Sequence, residues 1–142
     1  MDRSKKDKAK KKINSGNVQF IQADITKDWT FINKQYDLVA FSLVLEHIEN
    51  LNDIFKKASN ATSPKGFVYV GELHPFKQYT GTKAAFDTAS GQQTVLCFNH
   101  NISDFTLASK NNDFEILYIG EYFDDNDRTV IPRILTFLLR KK

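Results

Sequence analysis

Hydrophobic positions along this 142-residue chain recur at different intervals, and the interval changes from one segment to the next. Near the start, Ser4 followed by Asp7 forms a capping pair for a lysine-rich helix on which Ala9 and Ile13 share a face, ending near Asn14-Ser15-Gly16-Asn17. Residues 18–23 (VQFIQA) read as a short strand, and Trp29 to Ile32 as a brief helix or turn that docks aromatic groups. Residues 36–43 (YDLVAFSL) are apolar almost throughout, the pattern of a strand covered by helices on both faces. A parallel sheet is the expected setting. Leu51, Ile54, Phe55 and Ala58 fall at i, i+3, i+4 and i+7, which predicts a helix with one buried stripe, capped by Asn50 and stopped at Ser63-Pro64-Lys65-Gly66. A strand from Gly66 to Leu73 follows directly.

From His74 to Asn101 the pattern loosens into Pro, Gly, Thr and Gln. The stretch is longer than a simple connection, so it is expected to be a functional cover over a substrate. Periodicity returns with a helix to about Lys110, with Ser103 as its N-cap and Ile102 and Leu107 as a hydrophobic staple. Phe114–Phe123 and Arg133–Leu139 close the chain as strands, with Pro132 tolerable only at the start of the last. Strands alternating with helices predict a doubly wound α/β fold in one domain.

Composition changes this picture little. The net charge of +3 conceals an asymmetry: residues 1–12 hold seven lysines and arginines against Asp2 and Asp7, a local +5, which leaves −2 for the rest. A basic segment without interleaved aromatic residues is a poor nucleic-acid footprint, so an RNA-associated module ranks last. Its lysines read first as a solvated helix face. Cys97 is the only cysteine, which rules out an internal disulfide framework and fits a reducing, cytoplasmic setting. No run approaches the ~18 apolar residues of a membrane span. Glu46-His47 is half of a zinc-helix motif without its second histidine, so no metal is expected.

In open α/β sheets, ligands bind beyond the carboxyl ends of the strands, where loops converge and helix N-termini present free N–H groups. That rule gathers Asp24-Ile25, Ser42 to His47 and Glu72 to Phe76 on one rim, with Asp2 at the head of the opening helix. Blander roles stand beside these: Asp24 as a turn aspartate, Asp2 as a terminal residue near a helix start, His74 and His100 as satisfied surface groups.

The segments VQFIQADIT, YDLVAFSLVLEHI, SPKGFVYVGELHPF, FNHNISDFTLASKNNDFEI and GEYF, in this order and spacing, resemble the class I S-adenosylmethionine-dependent methyltransferases that act on small molecules. The resemblance covers nearly the whole chain. It implies a partial Rossmann-like doubly wound sheet, mostly parallel with an antiparallel C-terminal strand, and S-adenosylmethionine as cofactor. By matching position it implies that Asp2 accepts from the ribose hydroxyls, Asp24 from the adenine amino group, and Ile25 packs on the base. Ser42 and Leu43 match the segment bordering the methionine part. His47 matches a position near the methyl acceptor, as do Glu72 and His74. Methyl transfer from a sulfonium needs mainly alignment and, for some acceptors, a base, for which His47, His74 and His100 are the candidates, His47 first.

The family's glycine-rich loop would precede Asp2, and no Gly-x-Gly turn elsewhere replaces it, so the chain is expected to be an N-terminally truncated, incomplete domain. SPKG stands where a second glycine is usual, and Asn112-Asp113-Phe114 where Gly-Phe is usual. Removing two strands between those of Ala23 and Tyr36 would leave a gap of about 14 Å in place of about 4.8 Å. A complementing chain, closure of the sheet, or a homo-oligomer formed through open strand edges would answer it. The alternative to an enzyme is a non-catalytic remnant or subunit with a role in assembly.

Overall fold

The computed structural model describes residues 3–13, 15–81, 85–88, 91–94 and 96–142, with side chains left out of the description at 3–5, 85–88 and 92–94. Two compact units divide the chain, residues 1–33 and 34–142, and each is taken by itself.

In the first unit, α1 (Arg3–Lys12) is followed by irregular chain. The helix begins at Arg3, so Ser4 lies within it and is not its cap; Asp2 and Asn14 fall outside the described residues. Residues 18–23, expected as a strand, form none. An isolated extended segment has no ladder for its N–H and C=O groups, and here Val18, Gln19, Ile21 and Gln22 are exposed. Trp29 to Ile32 is a turn, closed by the Ile32 N–H donating to the Trp29 carbonyl at 3.0 Å, with the Trp29 and Phe31 rings 6.0 Å apart.

The second unit is built on a four-stranded sheet in the order β1-β2-β6-β5, from β1 (Tyr36–Ser42), β2 (Thr62–Leu73), β5 (Phe114–Tyr122) and β6 (Ile134–Lys141). β1 and β2 run parallel, joined through a 3₁₀ turn (Leu45–His47) and α2 (Leu51–Ala61); β6 is antiparallel to both neighbours. Three strands therefore point one way and the C-terminal strand the other, as expected.

α2 forms where its apolar stripe predicts: Leu51, Ile54, Phe55 and Ala58 are buried, and the Asn50 side chain accepts from the Asp53 N–H at 3.0 Å. Its end differs from the expected stop. Helix passes straight into strand at Thr62, whose hydroxyl donates to the Ala58 carbonyl at 2.7 Å, while Lys141 Nζ donates to the carbonyls of Ser59 and Thr62 at 2.7 and 3.0 Å. A lysine from β6 thus does what a terminating glycine usually does. Ser63–Gly66 bulge out between the pairs Tyr36–Thr62 and Leu38–Phe67.

α4 (Ile102–Asn111) is capped by Asn101, not by Ser103, which lies inside the helix. The Asn101 N–H donates to Asp104 Oδ2 at 2.7 Å, and Leu107, the expected staple partner, is exposed. The cover segment has structure of its own: α3 (Pro75–Tyr79) and a hairpin of β3 (Ala85–Thr88) and β4 (Gly91–Thr94).

α2 and α4 cover one face of the sheet. Phe55 meets Phe105 and Phe114 with ring centroids 6.4 and 6.3 Å apart, and Phe105 meets Phe137 at 5.1 Å. Val68, Val70, Leu135 and Leu139 complete this core. The other face corrects the expectation that β1 is enclosed. Leu38 is 58% exposed, Tyr118 54% and Tyr122 53%, and Phe67 and Tyr69 are partly open as well. Two tyrosines fold along this face over the glycine two residues on. A Cβ on Gly71 would come within 2.9 Å of the Tyr69 hydroxyl, and one on Gly120 within 2.6 Å of the Tyr118 ring.

β5 carries one extra residue. Ile116 pairs with Leu139 and Tyr118 with Leu138, so Leu117 is unmatched.

Candidate functional site

β1 and β2 are parallel and in register at Ser42–Gly71, so their carboxyl ends emerge side by side. The chain leaves β1 through Leu43, which adopts a left-handed conformation (φ 50°), rare for a leucine and a mark of a segment held by its surroundings. What holds it is visible. The Leu43 N–H donates to the Gly71 carbonyl at 2.9 Å, and the Val44 N–H donates to Glu72 Oε1 at 3.2 Å. Leu45 is fully buried and anchors the 3₁₀ turn, Glu46 is buried beside it, and His47 remains partly exposed. Ser42 and Leu43 are exposed at the strand end.

Glu72 is therefore a support for this turn. Burial pushes its carboxyl above the ordinary value; the N–H groups of Leu45, Val44 and Glu46 pull it down, and the Glu46 charge adds to the rise. Its second oxygen, Oε2, is enclosed and meets no donor among the described residues.

His74 is enclosed, and both ring nitrogens are engaged. The Phe76 N–H donates to Nδ1 at 3.2 Å, capping α3, which assigns the ring proton to Nε2; this donates to Glu121 Oε1 at 2.9 Å. The His74 backbone N–H donates to the Arg133 carbonyl at 2.7 Å. This histidine ties β2, α3, β5 and the approach to β6 together.

His47 is differently placed. Its Nδ1 lies 3.2 Å from the Leu96 carbonyl, which can only accept, so Nδ1 carries the proton and Nε2 the lone pair in the neutral ring. Cys97 Sγ is 3.7 Å from the same Nδ1, and Glu46 Oε1 is 3.8 Å from Nε2. The cover segment is fastened here by the Phe98 N–H, which donates to the Glu46 carbonyl at 2.7 Å. His100 is committed elsewhere: its Nε2 donates to the Ile48 carbonyl at 2.7 Å, and its ring lines a depression of about 260 Å³ with Leu51, Asn52, Asp104 and Leu107.

In the first unit, Asp24 forms an Asx turn: its Oδ1 accepts the Thr26 N–H and hydroxyl at 3.0 and 2.7 Å. The Ile25 carbonyl accepts the Trp29 indole N–H at 2.9 Å.

Of the residues singled out in the sequence, Ser42, Leu43, His47, Glu72 and His74 meet at the ends of β1 and β2. Asp24 and Ile25 belong to the other unit, and Asp2 lies outside the described residues. Glu121, Gln78 and Cys97 escaped sequence reasoning. Glu121 is hidden by the β5 bulge, and the other two sit in the cover segment, whose pattern is neither helical nor alternating.

Residues 1–70 match the model of a methyltransferase domain family. The fold is similar to that of a Listeria monocytogenes protein assigned to the S-adenosylmethionine-dependent methyltransferases (TM-score 0.82, 19% identity, 99% of this chain and 77% of that one). It is also similar to such a methyltransferase from Mesorhizobium loti (TM-score 0.75, 16% identity, 99% and 77%) and to DhpI in complex with SAH (TM-score 0.68, 19% identity, 95% and 60%). By fold, the chain is similar to these S-adenosylmethionine-dependent methyltransferases. No curated protein matches the sequence. Within this methyltransferase fold, the turn after β1 and the end of β2 occupy the carboxyl rim of the sheet, where α/β folds bind ligands. Among the described residues, no helix is long and apolar enough to cross a membrane.

Proposed function

We propose that this chain binds S-adenosylmethionine and transfers its methyl group to a small-molecule acceptor. The residues at the end of β1 fit such a ligand, because the exposed Ser42 hydroxyl stands beside a half-exposed Leu43, a polar and an apolar surface in succession. Ser42 and Leu43 would border the methionine part, and the resemblance in sequence offers Asp24, Ile25 and Asp2 for the nucleoside. The cofactor, when bound, supplies a methyl group already activated on sulfonium. The protein's own contribution is alignment and removal of a proton from the acceptor.

One observation carries the assignment of the base to His47. Its Nδ1 proton is tied to the Leu96 carbonyl, so the basic Nε2 is left on a ring whose side chain is 29% exposed. His74, bonded through both nitrogens, serves as a support. Glu72 and His100 fix the two ends of the loop that bears His47, and the segment 74–101 forms the acceptor side, in a cytoplasmic protein.

The test is calorimetric titration of the purified chain with S-adenosylhomocysteine. Micromolar binding, weakened in Asp24→Asn, is expected; absence of heat at millimolar ligand would remove the reading of a self-sufficient enzyme.

A second reading, a non-catalytic subunit working in a homo-oligomer or with a complementing chain, draws on a specific observation. β1 is an edge strand, and its outer neighbourhood includes the 58% exposed Leu38.

A further inference from the structure

The corner formed by the 3₁₀ turn, the end of β2 and α3 gathers side-chain acceptors beside the backbone N–H groups of the turn. In the neutral ring His47 Nε2 carries the lone pair and lies 3.8 Å from Glu46 Oε1, a distance a shared N–H would bridge. The Glu46 side chain is 7% exposed, and its Oε2 receives one long bond, from Gln78 Nε2 at 3.4 Å. Glu72, 2% exposed, accepts the Val44 N–H at Oε1 and is favoured also by the N–H groups of Leu45 and Glu46, while its Oε2 has no donor among the described residues. Gln78 Oε1 is enclosed and equally without a donor. Among the described residues, no lysine or arginine pairs with either carboxylate. Buried acceptors are normally satisfied, and two without a donor, Glu72 Oε2 and Gln78 Oε1, on either side of the Glu46 carboxylate call for a group that brings several hydrogens and a positive charge. A hydroxyl offers one hydrogen and no charge, and a carboxylate would be repelled.

We infer that this corner receives the amino group of the methyl acceptor, and that the substrate class is a small primary or secondary amine bound as its ammonium. The inference rests on the methyltransferase reading of the site. His47 Nε2 and Glu46 Oε1 take the first two N–H groups; Gln78 Oε1 and Glu72 Oε2 supply acceptors for what remains. His47 Nε2 then removes one proton, which frees the nitrogen lone pair. The nitrogen forms a bond to the methyl carbon as the carbon–sulfur bond of the sulfonium breaks, and the electrons of that bond stay on sulfur as a neutral thioether. The methylated product leaves as an ammonium, and His47 passes its proton to solvent.

Binding is read at His47 by NMR of its imidazole, assigned with His47→Gln, while the chain is titrated with benzylamine, benzyl alcohol and benzoate. Benzylamine should move the His47 signal and bind at least about tenfold more tightly than benzyl alcohol, in line with a charge-assisted hydrogen bond. Benzoate should leave the signal unmoved. Glu46→Gln should weaken benzylamine about tenfold or more, and Glu72→Gln, a second variant should the first not fold, should weaken it less. No response of His47 to benzylamine, or equal affinity for amine and alcohol, would overturn the proposal. S-adenosylhomocysteine titrated into the same sample separates the two ideas. Cofactor binding with a silent amine sinks only the amine site, whereas an amine response without cofactor binding sinks the methyltransferase reading.

Discussion

Glu72 carries opposed demands: its carboxyl is needed by the turn after β1, yet it sits where charge is disfavoured. Burial wins, and the group titrates above its ordinary value in the folded chain. The sign follows from linkage. A carboxyl raised on folding contributes stability that is fully present below its unfolded pKa and is lost as pH rises through the folded one. Wild type should therefore lose stability relative to Glu72→Gln as pH climbs from acid towards neutrality, so the gap in Tm between the two should widen in favour of the variant. A gap that stays constant over that range would contradict the burial argument. Much of this neighbourhood was legible in the sequence, because strand ends in α/β sheets collect ligands whatever the details. The role of His74 was not legible. Its engagement depends on Glu121, 47 residues away, and on the cap it makes for a short helix.

Among the elements, α2 shows what periodicity captures and what it leaves out. Its stripe was readable because a helix buries one face regardless of the rest of the fold. Phe55 is 1% exposed between Phe105 and Phe114, so Phe55→Ala should cost about 3–5 kcal/mol in chemical denaturation; a loss below about 1 kcal/mol would show that the cluster collapses around the cavity. A strand is different, since it exists only through its partners. Residues 18–23 have the composition of one without a ladder to join. Residues 36–42 form one, but the same apolar run is compatible with two covered faces or with one left open. The hairpin of β3 and β4 went unseen because AFDT and GQQT lack apolar alternation; Gly91, with φ of 112°, marks its turn.

For the molecule as a whole, the two edges of the sheet are unequal. β5 is guarded by a bulge and by Glu115 and Glu121, devices that discourage a further strand, whereas β1 presents no charge after Asp37 and an exposed Leu38. The chain should self-associate through β1, and Leu38→Lys should shift sedimentation towards the monomer. An unchanged distribution would point the assembly reading elsewhere. The bulge has one more effect. Side chains alternate along a strand, and because the surplus amino acid is left out of the pairing, the alternation resumes beyond it with the same faces. Ile116 and Ile119 both lie opposite residues of the core row, Leu139 and Phe137, and Glu121 follows them opposite Leu135. Pairing Leu117 in line with the rest of the strand would turn Glu121 towards the bare side and strip the imidazole at the head of α3 of its anion. That join therefore survives only while Leu117 stays out of the ladder.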